Sequence, residues 1–360
     1  MFDIKISKSN STRMNGVDWN NLRFGVYFSD HMFVSDYTDG SWGGDRIEPY
    51  GPMPVEPSMC TLHYGQTIFE GLKAFRSVGG GINIFRPQKN AQRMIRSAER
   101  LVIPPFDTDR MINAMVELVK TDKKWMPKGR GNSLYLRPFA YGSGNFLGVQ
   151  PSSEYKFIII TSPVGSYYPE GLNPVKILIS NDYVRAVPGG TGMAKTAANY
   201  AASLLGGKKA KEKGFAQVLW LDGVKRTFLD EVGAMNIMFV IDDELITPSL
   251  EHGTILAGVT RESVLFLGRE WGMKVSERDI SVDEVIDANE KGKLQECFGT
   301  GTAAVISPVG MLQYKEQQII INNGKIGPVA QKFYDTITGI QYGEIEDKYG
   351  WNVHIGVELD

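Results

Sequence analysis

The sequence predicts a two-domain protein of mixed α/β class, and three observations carry that prediction. Strand-like apolar runs alternate with helical patterns along most of the chain. The 360 residues suffice for about two domains with a well-buried core. The stretch Pro163 to Pro174, with three prolines and two glycines between two strand-like runs, reads as a linker. The expected division is a small N-terminal α/β domain over 1–162, a linker over 163–174 and a large C-terminal domain over 175–360.

Residues 1–60 are rich in Gly, Asp, Pro and aromatics and read as irregular, with one short strand-like run over Phe24 to Phe28. His63 to Phe75 reads as a helical turn leading into a strand. Gly79-Gly80-Gly81 then joins the strands Leu72 to Arg76 and Ile82 to Phe85. Pro87 suits the first turn of a helix that runs to about Leu101. That helix sets Arg93, Arg96 and Arg100 on one face, which by spacing alone is a solvated face unless one of them meets an anion. Asp107 to Trp125 reads as an amphipathic helix. In the strand Ser133 to Phe139, Tyr135 and Arg137 face the same side, either as an edge pair or as a carboxylate receptor. Gly142 to Pro151 is a loop, and Tyr155 to Thr161 is an apolar strand.

After the linker come a strand at Val175 to Ser180 and a helix from Ala197 to Lys213 stopped by Gly214. A hairpin is expected from Ala216 to Leu221 and Lys225 to Asp230 around Asp222-Gly223. Glu231 to Asn236 leads into a buried strand, Ile237 to Ile241. A further helix opens near Val259 with Thr260 as candidate N-cap and Gly272 as stop, and Ser281 with Glu284 matches a capping box. Phe298 to Ala304 is a strand broken by small residues, a candidate nest of backbone N–H donors, and Pro328 to Tyr342 is a closing helix. No internal repeat is evident.

Composition narrows the function. A net charge of -2 with interspersed acids and bases gives no footprint for nucleic acid or an anionic membrane surface. Cys60 and Cys297 form no motif, which fits a reducing compartment, and the four histidines lack metal-ligand spacing. No apolar run approaches the ~20 residues of a membrane span. MFDIKISKSN does not read as a secretory leader. The expectation is a cytoplasmic globular protein without a metal site.

The chemistry centres on Val187 to Tyr200, where Gly189, Gly190 and Gly192 precede the lone cation Lys195. Glycines at this density let the backbone take positive φ and approach another body closely, and here they would position a lysine. A phosphate loop is the rival reading, since Gly189 to Thr196 nearly spells G-x-x-x-x-G-K-[ST], but Ala194 stands at its second glycine. A lysine with a lowered pKa can form an imine with an aldehyde. A buried acid such as Glu231 needs a cationic partner, which a protonated pyridine nitrogen supplies. A helix start near Val259-Thr260 and the nest at Thr300 to Thr302 are two anion sites, one suited to a phosphate. Lysine, acid and phosphate cradle are what pyridoxal 5'-phosphate requires.

With these features in order, the chain resembles the branched-chain amino acid aminotransferases, fold type IV pyridoxal phosphate enzymes of the D-amino acid aminotransferase-like kind. HYGQTIFEGLKAFR, FRPQKNAQRM, YLRPFAYG, GGTGMAKTAANYAASL, FLDEVGAMNI, LAGVTRES and FGTGTAAVISPVG carry the resemblance, which runs from about Phe24 to the end. It implies that Lys195 carries the cofactor and shuttles the proton, that Glu231 holds the pyridine nitrogen protonated, and that Tyr200 bonds the ring's phenolic oxygen. Arg93, Val259, Thr260 and Thr302 would bind the phosphate. Phe24, Tyr64, Phe69, Tyr135 and Tyr167 would form an apolar side-chain pocket, with Val149 contributed across a homodimer interface. The backbone of Thr302-Ala303 would meet the α-carboxylate, and Arg137 the second carboxylate of glutamate or 2-oxoglutarate. The implied reaction is transfer of the amino group of L-leucine, L-isoleucine or L-valine to 2-oxoglutarate.

Two positions depart from parts of the family. Ala304 and Ser307 stand where the mammalian branch carries Cys-x-x-Cys, and Ala234 stands where some members have a hydroxyl, near the substrate carboxylate. D-amino acid aminotransferases and aminodeoxychorismate lyases share the lysine and the glutamate. Tyr135-x-Arg137 and the long N-terminal segment favour the branched-chain enzymes.

Overall fold

The computed structural model describes residues 3–166 and 172–359. The chain forms two compact units. The first comprises Met1–Tyr167, Ala194–Ala197 and Gly339–Asp360; the second comprises Tyr168–Met193 and Ala198–Thr338.

The first unit is built on a mixed sheet ordered, from one edge, Lys5–Ile6, Ser41–Pro49, His31–Thr38, Tyr155–Val164, Ser133–Gly142, Leu72–Arg76, Ile82–Phe85 and Asn352–Ile355. Thr67–Phe69 also pairs with Ser133–Gly142. One face is covered by the helices Pro87–Arg100 and Thr108–Thr121, because Ala91, Met94, Ala98, Met111, Met115 and Leu118 recur at helical spacing. They pack with Phe33, Ile47, Ile84, Leu134 and Phe157 from the sheet. Asp107 caps the second helix by accepting from the Arg110 N–H at 2.8 Å.

Two expectations fail here. Phe24 to Phe28 is a turn, not a strand. The region read as irregular instead holds the long hairpin His31–Thr38 and Ser41–Pro49. Asp39 (φ 52°) and Gly40 (φ 81°) make its two-residue turn, the positive-φ geometry that matches strand twist. The polar residues of Ser41–Pro49 had masked a strand that is only partly buried.

In the second unit, strands Leu229–Val232, Gln217–Leu221, Val175–Ile179, Val305–Tyr314, Leu294–Gly301 and Met235–Ile241 pair in that order, and the last pairs back with the first. The six therefore close a ring, with Glu244–Thr247 and Lys274–Glu277 added beyond Met235–Ile241. Ile177, Leu219, Ile237, Phe239 and Leu312 fill its core together with Val282 and Val285 of the helix Val282–Glu290. Gly233 (φ 59°) turns the chain between Leu229–Val232 and Met235–Ile241, so Glu231 lies within a strand.

Three further corrections apply to this unit. Lys225 to Phe228 is not strand but a loop organised by Asp222. The Asp222 carboxylate accepts from the N–H groups of Val224, Lys225, Thr227 and Phe228 at 2.7–3.2 Å. Thr260 is not an N-cap: the helix Val259–Glu270 begins after Gly258, which has no side chain to cap it. Ser281 does cap its helix, accepting from the Glu284 N–H at 3.0 Å, but the Glu284 carboxylate turns to Arg278 instead of completing a capping box.

Candidate active site

In the first unit the candidate residues gather around Lys195. Its segment is stitched to the sheet by backbone: the Phe69 N–H donates to the Lys195 carbonyl at 3.0 Å, and Thr196 bridges Ile68. The Thr196 hydroxyl donates to the Thr67 carbonyl at 2.8 Å, while the Lys195 N–H donates to the Ser97 hydroxyl at 2.9 Å. The glycine turn is thus only half of what positions this lysine, because Thr67 to Phe69 and Ser97 hold the residue itself.

The Lys195 ammonium sits 4.8 Å from the Phe69 ring centroid. Burial, with the Arg93 charge as second cause, lowers its pKa to about 8. Arg93 is itself buried, unlike the exposed Arg96 and Arg100 on the same helix. It is gripped by Glu70, which also accepts from Asn90 Nδ2 at 2.8 Å. Burial works to raise the Glu70 pKa, but the Arg93 guanidinium prevails and holds it below the ordinary value.

Arg137 and Tyr135 do lie side by side, with Arg137 Nη2 donating to the Tyr135 hydroxyl at 2.8 Å. The Arg137 guanidinium also stacks 4.6 Å from the Phe69 ring centroid, and Phe24 meets Tyr135 edge-on at 4.8 Å. Arg137 Nε is buried with no hydrogen-bond partner among the described residues. Lys195, Phe69, Arg137, Tyr135 and Phe24 therefore form one connected cluster. Tyr64 lies apart from these contacts, exposed and hydrogen-bonded to the Leu147 carbonyl, and Val149 is exposed on the same loop. Tyr167 falls outside the described residues.

The second unit holds a cluster around Glu231. Its Oε1 accepts from the Leu256 N–H at 2.8 Å and from Asn236 Nδ2 at 3.3 Å, and its Oε2 lies 3.2 Å from Arg185 Nε. Asn236 Nδ2 donates in turn to the Leu256 carbonyl at 2.9 Å. A Cβ on Gly258 would come within 2.0 Å of Asn236 Oδ1, so a glycine is required where the chain passes to the helix at Val259. Val259 and Thr260 open that helix and are buried. Thr302 and Ala303 follow Leu294–Gly301 and are half-buried. Tyr200 stands in the first turn of Ala197–Glu212, also half-buried, while Ala234 is exposed in the Gly233 turn.

Glu70, Asn90, Ser97, Arg185 and Asn236 escaped the sequence reading. Glu70 and Arg185 did leave a signal, since each is a charge inside an apolar run, the same ground on which Glu231 was singled out.

Among the described residues, no helix is long and apolar enough to cross a membrane. The class IV amino-transferase family matches residues 67–311. Branched-chain-amino-acid aminotransferase 2 of Bacillus subtilis (strain 168) is 52% identical over 346 residues, 96% of this chain and 95% of that protein. Branched-chain-amino-acid transaminase 1 of the same organism is 49% identical over 94% of this chain and 95% of its own length. Among solved structures, the Escherichia coli branched-chain amino acid aminotransferase matches with TM-score 0.74 and 26% identity, over 90% of this chain and 98% of that one. A T.th. branched-chain amino acid aminotransferase with pyridoxamine 5'-phosphate matches with TM-score 0.74 and 25% identity, over 89% of this chain and 98% of its own. With relatives this similar over nearly the whole chain, and with the family matched across most of it, the chain belongs to the branched-chain amino acid aminotransferases of the class IV aminotransferase family.

Proposed function

We propose that this protein transfers the amino group of L-leucine, L-isoleucine or L-valine to 2-oxoglutarate, giving the branched 2-oxo acid and L-glutamate, with pyridoxal 5'-phosphate as cofactor. The observation that carries the reading is Lys195: an amine whose pKa is lowered to about 8 by burial, held beside an Arg137–Tyr135–Phe69 cluster. The residues present fit the cofactor. Glu231 is a buried carboxylate held in orientation on a strand, suited to a pyridinium. The helix at Val259 starts on a glycine with no side-chain cap, suited to a phosphate.

Pyridoxal phosphate, when bound, supplies a carbonyl for amines and a ring that accepts the electrons left at Cα. Lys195 Nζ holds the cofactor and then moves the Cα proton as general base and acid. Glu231, fixed by Leu256 and Asn236, keeps the ring nitrogen protonated. Tyr200 is assigned to the phenolic oxygen, and Arg93, Val259, Thr260 and Thr302 to the phosphate. Phe24, Tyr64, Phe69, Tyr135 and Tyr167 are assigned to the substrate side chain, and Ala234 to the neighbourhood of the substrate carboxylate. Thr302 and Ala303 take the α-carboxylate through their backbone. Arg137 takes the second carboxylate of the acidic substrate, since a guanidinium matches a carboxylate through two parallel bonds.

We further propose a homodimer in which Val149, 86% exposed within one chain, is covered by the partner. The small domain is taken to end at residue 162 and the cofactor-binding domain to begin at 175. A cytoplasmic setting fits the two buried free cysteines. The deciding experiment is the visible spectrum of the purified protein with pyridoxal phosphate added. A band that bleaches with L-leucine and returns with 2-oxoglutarate is expected. Turnover of D-alanine without L-leucine would move the protein elsewhere in fold type IV.

A further inference from the structure

Asn236 joins the acid of the second unit to the helix start beside it. It stands directly opposite Glu231 across the antiparallel pair Leu229–Val232 and Met235–Ile241, so the two side chains share one face of the sheet. Both are buried. A side-chain amide is a short group that carries two donor hydrogens on one nitrogen. Asn236 Nδ2 directs one to Glu231 Oε1 at 3.3 Å and the other to the Leu256 carbonyl at 2.9 Å. The Leu256 N–H donates to the same Oε1 at 2.8 Å, which closes a ring of carboxylate, amide and peptide. An asparagine that served only to satisfy a buried carbonyl would not need its second hydrogen turned to a carboxylate.

The oxygen end of the amide meets the helix start. A Cβ on Gly258 would fall 2.0 Å from Asn236 Oδ1, so the amide lies directly against this glycine. Gly258 is the extended residue (φ -71°, ψ 134°) from which Val259–Glu270 begins. Leu256 and Gly258 are thus both held by one side chain, with Ala257 alone between them. A link this short transmits a displacement instead of absorbing it, since each extended residue spans only about 3.3 Å.

We propose that Asn236 is a positioning residue that fixes the spacing between Glu231 and the Val259 helix start, so that the ring and the phosphate of the cofactor are bound as one unit and not as two independent fragments. The inference rests on the assignment of Glu231 to the ring nitrogen and of that helix start to the phosphate. Its consequence is thermodynamic. Joining two fragments in one ligand raises affinity only as far as their two seats are held at the matching spacing.

The test uses the full-length apo-protein with pyridoxamine 5'-phosphate, pyridoxamine and inorganic phosphate, none of which is an aldehyde that would react with lysines. Titration calorimetry gives the Kd of the first, and displacement titrations give the other two. The product of the two fragment Kd values, divided by the Kd of pyridoxamine 5'-phosphate, is an effective concentration. In Asn236→Ala this ratio should fall by about tenfold or more, the effect of one hydrogen bond to a charged group. A residue that only oriented Glu231 would raise the Kd values of pyridoxamine and its phosphate in parallel and leave the ratio unchanged. A general loss of folded protein would weaken all three probes alike and raise it. Should Asn236→Ala fail to fold, the isosteric Asn236→Asp, which lacks both donors, decides on the same ratio. An unchanged or raised ratio would overturn the proposal while leaving the cofactor assignment standing. A parent chain that binds neither pyridoxamine 5'-phosphate nor pyridoxamine would overturn that assignment and the proposal with it.

Discussion

Glu70 and Arg93 form a buried two-pronged ion pair, with Arg93 Nε donating to Oε1 at 2.8 Å and Nη2 to Oε2 at 2.7 Å. At least two of the three guanidinium nitrogens are therefore committed within the first unit, so the residue assigned to the phosphate is also a structural strut. Removing one member strands the other charge, at about 3–5 kcal/mol. Glu70→Ala should lower stability by that order in urea unfolding, whereas Arg96→Ala, on an exposed position of the same helix, should change it by less than about 0.5 kcal/mol.

The same pair predicts a pH dependence. The folded-state pKa of Glu70 lies below its ordinary value of 4.5. Its stabilisation is thus fully present above the unfolded pKa and is lost as pH falls through the folded one. Acid unfolding of Glu70→Gln should show a shallower loss of stability below pH 4.5 than the parent chain. Equal slopes would mean that Glu70 does not govern this limb.

For Lys195 the shift has the opposite sense. With a pKa of about 8 instead of 10.5, its neutral amine is populated at far lower pH than that of a solvated lysine. Pyridoxal phosphate uptake by the apo-protein, followed spectroscopically, should rise with pH and level off above about 8. Burial also lowers the pKa of Lys73 to about 8, so Lys195→Ala is the control that reports any uptake at that second amine. A rise continuing towards 10.5 would contradict the assignment.

Arg137→Met should separate the two classes of substrate. Losing a charge-assisted hydrogen bond costs about 1.5–3 kcal/mol. The KM for 2-oxoglutarate should therefore rise by about tenfold or more, with the KM for L-leucine changing by less than about threefold. A parallel loss for both would mean that Arg137 positions the pocket and not the second carboxylate.

The glycines before the lysine are not equivalent. A Cβ on Gly192 would lie 2.3 Å from the Thr254 carbonyl oxygen and 2.7 Å from Ala186 Cβ, both unyielding. Gly189 has φ +76° with nothing nearby. Thermal unfolding should show Gly189→Ala costing about 1 kcal/mol and Gly192→Ala about 3 kcal/mol. If the order were reversed, backbone strain would outweigh close approach at this turn.

Periodic and punctuated elements were legible in the sequence. Pro87–Arg100, Ala197–Glu212 and Pro328–Tyr342 lie where proline, glycine and apolar spacing put them. Ser41–Pro49 was missed because a half-exposed strand shows little apolar alternation, although Asp39-Gly40 announced its turn. Lys225 to Phe228 was misread because side-chain capping by Asp222 substitutes for strand pairing. At the candidate site, Lys195 and Glu231 could be singled out by their local context, whereas Arg93 was set apart from Arg96 and Arg100 only by the family resemblance. Glu70 and Arg185 stand out as charges in apolar runs, but their pairing with Arg93 and Glu231, across 23 and 46 positions, and that of Ser97 with Lys195, across 98, is set by tertiary structure.

The four residues Ala194–Ala197 belong to the first unit although the chain on both sides belongs to the second, and the terminal stretch from Gly339 returns to the first as well. No single cut in the gene can therefore separate the two units. A fragment ending at residue 166 would lack the strand Asn352–Ile355, leaving Ile82–Phe85 as a bare sheet edge open to foreign strands. It would also lack Thr196 against Ile68. Splitting or recombining this protein with a relative requires exchanging three segments together, and the lysine travels with the unit that is not its neighbour in sequence.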